Sequence, residues 1–103
     1  MAFEVETHPE ALEELDEALE WYNRKSSRAP DRMLREYDEH VAAIRRTPER
    51  FRFVYREYRR LNLDRFPFAI IYRLRQESIF IIAVMHERRH PDYWKHRMDD
   101  DQA

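Results

Sequence analysis

Apolar and polar positions change rhythm twice along the chain. Phe3, Val5 and Thr7 alternate with Ala2, Glu4 and Glu6, the period of two that predicts a short first strand. Thr7-His8-Pro9-Glu10 reads as a helix start, with Thr7 as cap, a proline in the first turn and glutamate at the positive end of the helix dipole. Leu12, Leu15, Leu19 and Tyr22 then recur at helical spacing, with Ala11, Ala18 and Trp21 widening the stripe. Residues 23–30 form a polar connection. A second helix opens at Pro30-Asp31 and carries the stripe Met33, Tyr37, Val41 and Ile44. Thr47-Pro48 ends it, because proline disfavours helical geometry in the residue before it. Two such helices joined by a short connection pack as an antiparallel hairpin.

From Arg56 onward the period returns to two. Glu57, Arg59, Leu61 and Leu63 alternate with Arg56, Tyr58, Arg60 and Asn62; residues 66–74 are rich in aromatic and β-branched side chains; residues 78–85 (SIFIIAVM) are apolar on both faces. These segments predict three strands, the last buried in the middle of a sheet. The expected fold is α+β: an N-terminal strand, an antiparallel two-helix hairpin, a three-stranded antiparallel sheet and a basic C-terminal tail with a helical turn after Pro91. One domain over residues 1–97 is expected, with an acidic, disordered tail over 98–103.

Composition narrows the chemistry. The 103 residues include no cysteine, which excludes disulfides, thiolate metal sites and cysteine nucleophiles. They include no glycine either, which argues against phosphate-cradling loops and dinucleotide fingerprints, so no cofactor is expected. No apolar run approaches the roughly 18 residues of a membrane span, and without a basic-then-apolar leader the expected location is the cytoplasm. The net charge of −2 conceals a segregated distribution. Residues 1–23 hold eight acids and no Lys or Arg, residues 24–97 hold all nineteen basic residues against ten acids, and Asp99, Asp100 and Asp101 follow. Seventeen of the nineteen cations are arginine, whose planar fork grips phosphates and carboxylates.

Two constellations follow. Arg56, Arg59 and Arg60 on one predicted strand and Arg73 and Arg75 on the next suit a phosphate backbone, beside Phe51, Phe53, Tyr55 and Tyr58 for stacking. The same run also fits an ordinary solvated face paired with the acidic first helix. The second, His86-Glu87-Arg88-Arg89-His90-Pro91-Asp92-Tyr93-Trp94, follows the most apolar strand directly. There His86 can act as acid or base, Arg88 or Arg89 can stabilise a phosphorane, and Tyr93 can stack or relay a proton. The competing structural roles are a strand-end hydrogen bond for His86 and a lid over the open sheet face for Tyr93 and Trp94. His86, His90 and His96 with Glu87 and Asp92 lack metal-ligand spacing, so no metal is expected.

The order of elements, the stretch FPFAIIYRL and the run IIAVMHERRHPDYW over residues 81–94 together resemble the RelE/ParE superfamily of bacterial toxins, over about residues 2–97. That resemblance implies the toxin half of a type II toxin–antitoxin module, held inactive by a cognate antitoxin whose segment wraps it. It implies one of two targets. RelE-like members cleave mRNA on the ribosome, and His86, Arg88, Tyr93 and Arg60 would then be catalytic, with Glu57 as an acidic base. Arg56, Arg59, Arg60, Arg73 and Arg89 would bind the anion. ParE-like members inhibit DNA gyrase and lack that catalytic set. The long hairpin with its acidic first helix leans toward the ParE branch, but the sequence does not separate the two. A nucleic-acid-binding or adaptor domain that keeps the fold without toxicity stands as the alternative, and oligomerisation is left open.

Overall fold

His8, rather than Thr7, starts the first helix. Thr7 is still in the first strand, β1 (Glu4–Thr7), opposite Ile81. The His8 ring takes the capping role, its Nδ1 accepting the Glu10 N–H at 3.0 Å, with Pro9 supplying the helical φ of the first turn. The computed structural model describes residues 3–101, so Met1, Ala2 and the last two residues lie outside the described part.

Helix α1 (Pro9–Lys25) buries Ala11, Leu15 and Ala18, while Leu12 and Trp21 remain about half exposed. The stripe is therefore centred about one residue away from the leucines. Two alanines on the buried line give the helix backbone room to sit close to the sheet. The connection is shorter than expected, residues 26–28 only, because helical bonding runs on to Lys25 and α2 (Ala29–Arg46) begins at once. Met33, Tyr37 and Ile44 form its buried line, with Val41 half-buried. Thr47 ends it as expected, its N–H bonding the Ala43 carbonyl before Pro48 opens a 3-10 turn, Pro48–Arg50.

The sheet has five strands in the order β1-β5-β4-β3-β2. Besides the three expected strands, β3 (Tyr58–Asn62), β4 (Phe68–Leu74) and β5 (Ser78–His86), the structure adds β2 (Phe53–Tyr55), too short to show an alternating pattern. The β2–β3 turn places Arg56 at φ 49°, in the left-handed region. Strand β5 lies between β1, which pairs parallel to it, and antiparallel β4, and every residue from Ile79 to Met85 is buried. This is the arrangement that its two-sided apolar sequence demands.

Two cores result. On the helix side Ala11, Leu15, Met33 and Ile44 pack on Ile70, Tyr72, Ile79, Ile81 and Val84. On the other side Tyr58, Ile71, Phe80, Ile82, Ala83 and Met85 are covered by Trp94, which is 1% exposed. A register shift between Ile71 and Tyr72 puts Ile82 and Ala83 into the same core. The cover is the segment after β5, ending in a 3-10 helix, Lys95–Asp100. As far as Asp101, the acidic tail expected to be disordered is docked instead: the His8 Nε2 contacts Asp100 Oδ2 at 2.7 Å and the Asp101 carboxylate is buried against the sheet.

The buried tyrosines set an alkaline limit. Burial pushes Tyr37 and Tyr72 up to about 12, with Asp38 reinforcing the effect at Tyr37 and Arg59 opposing it at Tyr72. A folded pKa above the unfolded value of 10 favours the fold fully below pH 10, and the benefit is lost as pH climbs toward 12. The two rings are together expected to cost on the order of a few kcal/mol across that window. Thermal midpoints measured between pH 9 and 11.5 should fall steeply, and less steeply in Tyr37→Phe. A flat profile would contradict the assignment.

Candidate functional site

The expected site residues divide between the two faces of the sheet. Arg59 and Arg60 are adjacent in β3, so their side chains must leave on opposite sides. Arg59 lies opposite Tyr72 on the helix side, where its Nη1 donates to the Glu49 and Phe51 carbonyls at 2.9 and 2.7 Å and its guanidinium lies 3.9 Å from the Phe53 ring centroid. It ties the segment after α2 to the sheet. Arg60 lies opposite Ile71 on the other side, its Nε donating to Asn62 Oδ1 at 2.7 Å. Burial and the nearby Arg52 lower its pKa, while Glu87 works the other way. Arg56 is exposed in the β2–β3 turn beside the Tyr55 ring, with Glu57 next to it. The arginines of the first constellation therefore do not share one surface, because strand alternation parts them.

Arg73 lies opposite Tyr58, and both donate to Asp101: Arg73 Nε and Tyr58 Oη each reach Oδ2 at 2.7 Å. Burial alone would raise the Asp101 pKa, but the hydrogen bonds from Arg73, Tyr58 and Arg75 outweigh it and hold that carboxyl well below the usual range.

At the exit of β5, His86 is half-buried with its ring edge-on to Phe68 at 5.0 Å. Its Nδ1 accepts the Arg88 N–H at 3.0 Å, which leaves the proton of the neutral ring on Nε2. His86 and Arg89 stand on the rim of a groove of about 410 Å³ between α1 and the β4–β5 edge, floored by Ala18, Tyr22, Phe68 and Val84 and flanked by the half-exposed Trp21. Glu14 and Glu17 line it too. Arg88 is exposed, and the Arg89 guanidinium stacks 3.8 Å from the centroid of Tyr93.

Tyr93 is held from the other end. Its hydroxyl donates to Glu14 Oε2 at 2.6 Å; burial and that bond raise its pKa. Glu14 also receives both Arg97 terminal nitrogens, at 2.9 and 3.0 Å, and the Val84 N–H at 3.0 Å. Arg97, 4% exposed, donates in addition to the Ile82 carbonyl at 3.1 Å. Strand β1 stops opposite Ile81, so the β5 edge beyond it is completed by this ion pair in place of a neighbouring strand. Neither residue was marked as special in the sequence. Glu14 carried a signal: it stands three residues after Ala11 and four before Ala18, an acid on the apolar face of its helix.

His86, His90 and His96 are spread along the exit segment, with the Nδ1 of His90 accepting the Asp92 N–H at 3.1 Å. Among the described residues the potential metal ligands that do gather are His8, Glu10 and Asp100, with atoms within 4.8 Å of one another. Their chemistry works against a metal. His8 Nδ1 accepts a backbone N–H, so the neutral ring carries its proton on Nε2 and donates it to Asp100.

A β-α-α-β-β-β-β order with a helical hairpin on one face of a mostly antiparallel sheet is the architecture of RelE/ParE-type toxins. Residues 5–91 match the family described as "ParE toxin of type II toxin-antitoxin system, parDE". The chain belongs to that family, which makes it a toxin of a type II toxin–antitoxin system and implies an antitoxin partner. No curated protein matches it. No helix among the described residues is long and apolar enough to cross a membrane.

Proposed function

We propose that this toxin acts in the cytoplasm by binding a protein target, DNA gyrase, and that it does not cleave RNA. The observation that carries this reading is the state of Tyr93: its hydroxyl, the proton donor a cleavage mechanism would use, is bonded to Glu14 at 2.6 Å with its pKa raised. In-line attack at a phosphate needs a base, an acid and cations around one phosphorus atom. Arg59 and Arg60 face opposite sides of the sheet, and Arg73 is bonded to Asp101. His86 instead borders an apolar groove lined with two carboxylates, a surface that favours protein side chains over a phosphate backbone. The cognate antitoxin is the second protein partner. The exposed basic residues of α2 and the following turn, Arg45, Arg46, Arg50 and Arg52, favour an antitoxin segment of acidic or mixed character.

The test is a comparison of purified wild type and His86→Ala. Both are expected to inhibit gyrase supercoiling to within about twofold, since losing one rim side chain costs a fraction of a kcal/mol, and expression should leave mRNA intact. Cleavage of mRNA in cells that disappears with His86→Ala or Arg88→Ala would establish the nuclease instead. No growth arrest on expression, with no antitoxin gene adjacent, would establish the adaptor reading.

A further inference from the structure

On the sheet face away from the helices, the Asp101 carboxylate is enclosed by three side chains, Tyr58 from β3, Arg73 from β4 and Arg75 just beyond the end of β4. Tyr58 Oη and Arg73 Nε donate to Oδ2, each at 2.7 Å; Arg73 Nη2 and Arg75 Nε donate to Oδ1, each at 3.1 Å; and Arg75 Nη2 reaches Oδ1 as well. The carboxylate is only 2% exposed, and the Arg73 and Arg75 side chains are 16% and 13% exposed. These hosts stand on a rigid frame. Tyr58 and Arg73 are cross-strand partners, and the Arg75 guanidinium is further fixed by Glu6 at 2.8 Å and by the Phe80 ring at 4.4 Å. Two guanidinium forks and a phenol hydroxyl converging on one pair of oxygens make a receptor for an oxyanion.

The guest has a different standing from its host. Asp101 arrives at the end of the chain's described part, just beyond a short 3-10 helix, on a segment that lies past residue 91, where the family match ends. The host residues 58, 73 and 75 lie inside that match. We propose that Tyr58, Arg73 and Arg75 form an oxyanion-binding site that the chain closes on itself with Asp101, and that lifting the terminal segment opens it to a phosphate group. The site takes a phosphoryl oxyanion because such a group offers three or more acceptor oxygens to these same donors, where the carboxylate offers two. The inference is independent of the toxin's target.

The experiment replaces the guest. In Asp101→Ala the two arginines lose their shared carboxylate, so the thermal midpoint should drop. Inorganic phosphate, titrated against sodium chloride at matched ionic strength, should then restore it by roughly 5 °C or more in a saturable manner. Wild type, with its site filled, should respond to phosphate no more than to chloride. If Asp101→Ala does not fold, Asp101→Ser, which also leaves room for the anion and keeps one small polar group, is titrated in its place. Adding Arg75→Ala to either variant should abolish the phosphate response. A short single-stranded oligonucleotide that reproduces the shift assigns the site to backbone phosphates, and one that does not assigns it to small phosphates; both uphold the site. Equal responses to phosphate and chloride, or a response that survives Arg75→Ala, would overturn it.

Discussion

Trp94→Ala is expected to remove about 3–5 kcal/mol of folding stability, the range for deleting a fully buried large aromatic. The indole is 1% exposed, with its ring 5.3 Å from Tyr58 and 6.3 Å from Tyr55, and it closes the core formed by Ile71, Phe80, Ile82 and Met85. A domain of this size has a total stability of order 5–15 kcal/mol, so the thermal midpoint should fall by on the order of 20 °C. Trp94→Phe keeps an aromatic ring in place and should lose clearly less. Urea denaturation of the three proteins decides the matter. A Trp94→Ala variant of near-normal stability that had lost only its growth-arresting activity would make Trp94 a contact residue and not a lid.

The fold was legible where burial is two-sided or periodic over many residues. Residues 78–85 had no polar face to offer solvent, and they form the central strand. Strand β2 escaped because three residues, with Phe53 and Val54 exposed, present neither an alternation nor a buried run. The centre of α1 was misplaced because leucine dominates any hydrophobic count, whereas close packing on β5 selects Ala11 and Ala18.

The site was less legible, for two separate reasons. One was available in the sequence: Arg59 and Arg60 are neighbours on a strand, and alternation alone parts them. The other was not. Asp101 reaches Arg73 across 28 positions and Tyr58 across 43, and Glu14 meets Arg97 across 83. No local pattern encodes such pairings. The segregation of charge, acidic at both ends and basic between, does receive a physical account, since an acid from the first helix neutralises the buried Arg97 and one from the terminal segment neutralises the partly buried Arg73 and Arg75. What the sequence presented as an anion-seeking surface is in part a set of internal ion pairs.

Breaking the Glu14–Arg97 pair is the second change expected to be severe. Glu14→Ala leaves a guanidinium that is 4% exposed with only the half-exposed Glu10, 3.6 Å from its Nε, as counter-ion, and removes the acceptor for the Tyr93 hydroxyl and the Val84 N–H. The loss should be about 3–5 kcal/mol, the range for removing one partner of a buried ion pair. Arg97→Met leaves Glu14 without its main cation and the Ile82 carbonyl without a donor, with a loss of similar size. The double variant Glu14→Leu/Arg97→Met removes both charges together, so it should lose several kcal/mol less than the two single losses added. It should not regain full stability, because Val84 N–H and Ile82 C=O each stay unpaired at a cost of about 1–3 kcal/mol. Chemical denaturation of all four proteins gives the coupling directly. Strict additivity would show that the pair contributes nothing. The edge of β5 beyond β1 would then be held by backbone contacts alone.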